Sequence, residues 1–315
     1  MNWYKIRTGN DFIWNQVDFL NFLIKNQHQK IFITNLDEGG CMQANGVYDL
    51  LDLFEFESVT IKTGNNLESH KNYRIALGPE RFRFFNADDK YQQFHLWNFN
   101  KVFGALYNRP IWYRIGLASY LQKYYPTQTL LNFRHDPHDP DQRELFELQK
   151  LFEAHPESIK NFASIINQFP LTVEKQDGYT KGGTTTQHTD QLAKFYPNFL
   201  IDIVAETFSV GQTFFPTEKT VRPMLLKKPF IVFGPKDYLE YLRQMGFRTF
   251  GDFWDETYDG YSDTDRYSKI LQLIDWIAKK SLDELETIYL DMQYTLDHNY
   301  DLLTTQKFTR LIKPL

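Results

Sequence analysis

Two carboxylates and two cations crowd one stretch of this chain. Glu206 stands in Ala205-Glu206-Thr207-Phe208, and after the gap from Ser209 to Phe215 comes Pro216-Thr217-Glu218-Lys219-Thr220-Val221-Arg222-Pro223. A carboxylate accepts hydrogen bonds from vicinal hydroxyls such as those of a ribose. A lysine beside the exposed amides of a helix start neutralises a diphosphate. Together these are the recognition needs of a nucleotide-sugar. The same residues have a plainer use, with Thr217 capping a helix, Glu218 favouring its first turn, and Lys219 and Arg222 solvated. Pro223 would fall past the first turn of a helix begun at Thr217, where it costs a backbone bond.

Position along the chain gives this stretch its interest. It lies between two short apolar runs, Phe199-Leu200-Ile201-Asp202-Ile203-Val204 and Pro229-Phe230-Ile231-Val232-Phe233-Gly234, which read as buried parallel strands. That predicts a location at the carboxyl end of a parallel sheet, where open α/β folds bind ligands. The first half has the same rhythm. Strands are predicted at Lys30 to Asn35, Ser58 to Lys62, Tyr73 to Leu77 and Thr129 to Phe133, and helices at Gln43 to Phe54, Ile111 to Tyr124, Asp141 to Phe152 and Pro156 to Phe169. In the second half a helix follows Thr217, another starts at Pro235 and stops at Gly246, and long helical patterns run from Asp263 to Lys280 and from Leu282 to about Leu303. The glycine-rich segment 177–186 reads as a linker. The expected fold is therefore α/β, with two Rossmann-like domains, 1–180 and 181–315, and a C-terminal helical tail packed across both.

Glu206, then Thr217-Glu218-Lys219 at a helix start, then Pro229 to Gly234 resembles the donor-binding half of the α1,3-fucosyltransferases and, more loosely, exostosin-type enzymes. Thr207 stands where the fucosyltransferases usually carry asparagine. The resemblance covers about residues 199–247. It implies a two-domain glycosyltransferase of the GT-B type, moving a sugar from a nucleotide-sugar to a glycan or other hydroxyl acceptor. By match, Thr217, Glu218 and Lys219 would hold the nucleotide and its phosphates, with Lys219 and Arg222 bearing the leaving diphosphate. No metal and no resident cofactor is then expected, the nucleotide-sugar being a co-substrate. An inverting transfer also needs a base on the acceptor side. Asp37-Glu38-Gly39-Gly40 follows the first predicted strand, so Glu38 or Asp37 is the candidate, and the glycines would let an acceptor approach closely. Either carboxylate serves equally as a cap of the next helix. The expected catalytic set is Glu38, Asp37 and Glu206. The rival readings are a non-catalytic Rossmann-like binding or structural protein, and transfer to a modified DNA base.

Other signals have bland explanations. Asp263-Thr264-Asp265 has the spacing of a manganese-binding Asp-x-Asp, yet it opens a long helix, where Asp263 or Thr264 is a natural cap. His135-Asp136-Pro137-His138-Asp139-Pro140-Asp141 has metal-ligand residue types, but its prolines scatter them along an extended segment. His188 reads as a loop histidine near the cleft. Arg109, Arg114 and Arg134 could bear phosphate or pair with surface acids. Trp254 to Tyr261 is acidic and aromatic, suited to hydrogen bonding and stacking on a sugar or to a solvated loop.

Composition bounds the rest. In 315 residues, 42% hydrophobic and 17% aromatic, there is ample material for real cores, which excludes a disordered chain. The net charge of −5 disfavours wholesale binding of nucleic acid. A single cysteine, Cys41, forms no intramolecular disulfide and fits a reducing compartment. Polar residues interrupt Met1 to Lys25, no run reaches a membrane span, and a cytoplasmic location is expected.

Overall fold

The computed structural model describes residues 2–9, 13, 15–36, 39–78, 89–95, 99–133, 142–173 and 185–309. Among them, eight strands form two separate four-stranded sheets, parallel throughout.

The first sheet holds β1 (Asn2–Lys5), β2 (Lys30–Asn35), β3 (Ser58–Thr63) and β4 (Arg74–Leu77), in chain order across the sheet. Burial alternates along β2 and β3, as the two-residue period of a pleated strand requires when one face is packed. Ile31, Ile33, Val59 and Ile61 point to that face. They pack with Phe19 and Leu23 of α1 (Gln16–Lys25) and Val47 and Leu51 of α2 (Val47–Leu51). α2 is shorter than the predicted Gln43 to Phe54, because the chain turns through Gly46 at φ +71° before the helix begins.

The second sheet holds β5 (Lys101–Tyr107), β6 (Thr129–Phe133), β7 (Phe199–Ala205) and β8 (Phe230–Phe233), in the order β6-β5-β7-β8. β7 is buried at every residue, as an interior strand covered on both faces should be. Around it lie α3 (Trp112–Tyr124), α4 (Gln142–Ala154), α5 (Pro156–Ile165), α6 (Thr185–Ala193), α7 (Glu218–Leu225) and α8 (Tyr238–Gln244). The chain closes with α9 (Asp263–Ala278), α10 (Leu282–Asp291) and α11 (Gln293–Thr304), the last two dividing at Met292 what reads in sequence as one helix.

The α/β class with two parallel sheets matches expectation, but the division between them does not. β5 and β6 share a sheet with β7 and β8, so the second sheet crosses residue 180 and the changeover falls between Leu77 and Lys101. The expected domains 1–180 and 181–315 cut through that sheet. The physical reason is the β5–β7 pairing, Phe103 beside Ile201, a contact between residues almost a hundred positions apart that local periodicity does not carry. The C-terminal tail also differs from expectation. Buried Ile270, Ile274, Leu285, Leu296 and Leu303 all belong to the core of the second sheet, and none to that of the first. Their apolar stripes meet α3, β8 and α7 rather than the junction. The linker segment lies outside the described residues up to 184.

Because β5 passes on to β6 and β7 to β8 on the other side, connections leave the carboxyl ends of these adjacent strands in opposite directions. The crevice this creates is the standard ligand position of open α/β sheets. The segment leaving β7 reaches the first sheet. Asn65, just past β3, donates from Nδ2 to the Gln212 carbonyl (2.8 Å) and accepts at Oδ1 from Phe214 N (2.9 Å), while Asn66 N donates to the Phe214 carbonyl (3.2 Å). Phe215 then fills the space beside Gly39 and Gly64, where a Cβ would lie 2.0 and 2.6 Å from its ring. The carboxyl ends of β2, β3 and β7 are thereby tied together through one loop. Gly39 thus makes room for Phe215 rather than for an acceptor molecule, as the sequence suggested.

Gly39→Ala is expected to displace the Phe215 ring and lower stability by about 1–3 kcal/mol, the usual cost of overpacking. Urea unfolding measures it, and an unchanged midpoint would show that the ring is not confined there.

Candidate functional site

The end of β7 is shaped from below. Arg114, buried in the first turn of α3, donates from Nε (3.2 Å) and Nη2 (2.9 Å) to the Ala205 carbonyl and from Nη2 to the Glu206 carbonyl (3.0 Å). Its neighbour Tyr113 donates to the Glu206 carbonyl at 2.5 Å. These bonds satisfy carbonyls that have left the sheet ladder, so the chain can turn without burying unpaired acceptors. Arg114 therefore neither bears phosphate nor pairs with a surface acid, the two uses its sequence suggested.

The Glu206 side chain is wholly engaged inside the protein. Its Oε1 accepts from Thr217 N (3.1 Å), Thr220 Oγ1 (2.6 Å) and Tyr238 OH (3.0 Å), and its Oε2 from Thr217 Oγ1 (2.6 Å) and Thr207 N (3.3 Å). It is 1% exposed. A carboxylate with five donors on it and no path to solvent does not touch substrate. Glu206 holds the start of α7 and Tyr238 of α8 against the end of β7, a positioning role in place of the catalytic one expected.

Thr217 completes the chain of bonds. Having donated to Glu206, its hydroxyl accepts from Lys219 N (3.3 Å), capping α7 as the sequence predicts, and from Lys219 Nζ (3.2 Å). Lys219 Nζ also donates to Thr207 Oγ1 (3.0 Å) and Glu218 Oε1 (2.7 Å), so each of its three protons has a direction. The Lys219 and Glu218 side chains remain 20% and 18% exposed. Burial opposes ionisation of the Glu218 carboxyl, but the Lys219 charge and hydrogen bond, with Arg222 nearby, outweigh it and hold the group down at about 2. Burial pulls the Lys219 ammonium below the ordinary lysine range, against the opposing charge of Glu218.

Arg222 points away from solvent. It is 4% exposed and interacts with Tyr196 and Asp202, the charged residue in the middle of β7. Tyr196 donates to Asp202 Oδ2 in a short hydrogen bond. Burial pushes the Asp202 carboxyl up to about 7, with the Tyr196 hydrogen bond and the Arg222 charge countering part of the rise. Arg222 thus serves the buried network and not the surface, contrary to the phosphate role expected of it. Pro223 is accommodated inside α7, whose apolar side is buried through Met224 and Leu225.

The structure brings Glu206, Thr217, Glu218 and Lys219 together and sets Arg222 behind them. Asp37 and Glu38 lie outside the described residues, as do Arg134 and the segment from His135 to Asp141, and nothing is described of the His188 side chain. Arg109 is exposed in the connection leaving β5 at the crevice end. Asp263 pairs with Arg266 and Asp265 accepts from Ser262, the actual cap of α9, so the Asp-x-Asp carboxylates serve their own helix. Among the described residues no group of three or more His, Cys, Asp or Glu side chains could hold a metal, and no helix is long and apolar enough to cross a membrane. Sequence reasoning passed over Tyr113, Tyr196, Thr220, Tyr238 and Asp202; only Asp202, a charge inside an apolar strand, carried a visible signal. No protein-family model matches the chain, and no curated protein matches it at a significant level.

Glu206→Ala leaves several buried donors unsatisfied and is expected to cost about 3 kcal/mol in urea unfolding. Asp202 adds a pH dependence. Its folded pKa of about 7 lies above the ordinary aspartate value of 3.8, so between those limits the folded state holds a proton that the unfolded state has lost. Stability therefore falls as pH rises through that window and levels off above it. The difference between wild type and Asp202→Asn should change by at most about 1.4 kcal/mol per pH unit there and stay constant above pH about 8.

Proposed function

We propose that this protein is a glycosyltransferase of the GT-B type that uses a nucleotide-sugar donor and a carbohydrate or other hydroxyl acceptor. The observation that carries the reading is the Lys219–Glu218 pair, partly exposed at the start of α7 and braced by Thr207 and Thr217, next to the crevice where the connections of β5 and β7 diverge. The helix-start amides and Lys219 suit a diphosphate, and Arg109 adds a second cation at the same end of the sheet. On binding, the diphosphate takes the place of Glu218 on Lys219, and the released Glu218 accepts from the ribose hydroxyls. The two parallel sheets joined at their carboxyl ends give the acceptor side, and Asp37 or Glu38, next in the chain after β2, supplies the base if the transfer inverts configuration. Glu206 keeps the pair in register without meeting the donor.

Calorimetry against a panel of uridine, guanosine, cytidine and adenosine diphosphate sugars tests this directly. Wild type should bind at least one donor, and Lys219→Ala should weaken it about tenfold to a hundredfold, the value of a charge-assisted contact to phosphate. Glu218→Ala should weaken it similarly with the fold intact. Absence of heat with every donor, or equal binding by both variants, would reject the proposal.

A further inference from the structure

A second site lies on the far side of the second sheet. Beyond the edge strand β8, the segment after α8 and one face of α9 enclose a pocket of about 340 Å³, within the roughly 300–1,000 Å³ of small-molecule sites. Trp254, Phe253 and Asp255 line it from the segment, and Lys269, Gln272 and Trp276 from α9, where their spacing puts them on one helical face. Trp254 also borders Leu200, Ile201 and Pro229, which begin or precede β7 and β8. The pocket therefore sits toward the amino ends of the strands whose carboxyl ends carry Glu206, so it is no part of the crevice.

Three features mark it as built. Trp276 is 45% exposed, a large apolar ring left in water on a helix whose other aromatic, Tyr267, is fully buried. Lys280 Nζ sits 4.0 Å from the centroid of the Trp276 ring and within 3.8 Å of Glu284, which braces the indole where it borders the pocket. Trp254 is held against Phe250 with ring centroids 5.2 Å apart, and its buried indole N–H has no acceptor among the described residues. An unmet buried donor on a residue that lines the pocket is costly to leave without a partner.

The chemistry selects the ligand. An exposed indole face accepts the apolar C–H face of a pyranose as well as a flat base. The groups at the rim separate the two. Asp255 accepts from Thr257 N (2.9 Å), and this bond to Thr257 holds its carboxyl below the ordinary range, so it is an anion. Asp255 accepts from hydroxyls, the exposed Gln272 amide both donates and accepts, and Lys269 on the same wall donates, a mixed set that matches the many hydroxyls of a sugar better than the few edge groups of a base. We propose that this pocket is a carbohydrate-binding subsite, in which a pyranose ring of a neutral glycan stacks on Trp276 and hydrogen-bonds Asp255 and Gln272. It would hold a glycan chain on the protein independently of the donor crevice.

The test uses the full chain with cellohexaose, maltohexaose and chitohexaose as probes, read by tryptophan fluorescence and by saturation-transfer NMR. Wild type should bind at least one of them with a Kd in the millimolar range or tighter. Trp276→Ala, with its fold checked by urea unfolding, should weaken binding at least about tenfold, and Asp255→Ala should weaken it measurably. Lys219→Ala should bind the glycan as wild type does. No binding of any probe, or binding that survives Trp276→Ala and is lost in Lys219→Ala, overturns the proposal. Failure to bind a nucleotide-sugar would reject the transferase reading and leave this one standing.

Discussion

The Glu206 carboxylate is the constraint on which this arrangement depends. A charge buried to this degree is tolerated only when its lone pairs are filled, and five donors from four residues fill them. Those four residues lie along the chain's route around the sheet end: Thr207 on the way out, Thr217 and Thr220 at the start of α7, Tyr238 at the start of α8. Satisfying one anion thus sets the exit angle of β7, the entry of α7 and the approach of α8 at once. Lys219 takes its direction from this set, since the Thr217 hydroxyl, held in place by donating to Glu206, turns its lone pairs toward the Lys219 ammonium.

The loop between Glu206 and Thr217 does a second job. Its far end is gripped by Asn65 and its Phe215 ring is seated against two glycines of the first sheet. The first unit has its own buried carboxylate nearby, Glu68, which accepts from Met42 N (3.1 Å), Tyr48 OH (2.7 Å) and Asn65 Nδ2 (3.1 Å). Asn65 therefore links the two polar centres: Glu68 orients its amide nitrogen, and its oxygen receives Phe214 N. Polar bonds give this junction its register, and Phe214 and Phe215 exclude water from it, which strengthens those bonds. An interface of this kind resists sliding more than one made of aliphatic contacts alone.

The remaining charges divide by depth. Asp202, Tyr196 and Arg222 form a buried group behind the crevice, where burial outweighs the neighbours in raising the Asp202 carboxyl. Glu218 and Lys219 stand at its edge, where mutual attraction outweighs burial for the acid. Groups at the edge can exchange partners with a ligand at small cost. Groups in the interior cannot, because each would be left unpaired in a medium of low dielectric.

Sequence alone determined many of the elements and the cap, but it passed over β1, α1, β5 and α6. Parallel strands buried on both faces must be short apolar runs, so β7 and β8 were legible, as was β6. The alternating β2 and β3 were legible from their β-branched and aromatic content, and Thr217 as the cap of α7 from its place before an acidic first turn. It also determined that Thr217, Glu218 and Lys219 would sit at the carboxyl end of a sheet. Tertiary structure decided the rest. β5 pairs with β7 across almost a hundred residues, which moved the boundary between the sheets, and periodicity within a segment holds no record of such a partner. Glu206 and Arg222 look in sequence like surface charges ready for a ligand. Their inward orientation follows from Thr220, Tyr238 and Tyr196, whose distance along the chain hides that they converge. Gly39 had the composition of an open approach, and only packing revealed that Phe215 occupies it. Residue types and local order follow from the chain's own chemistry, whereas which lone pair meets which donor is set when distant segments close on one another.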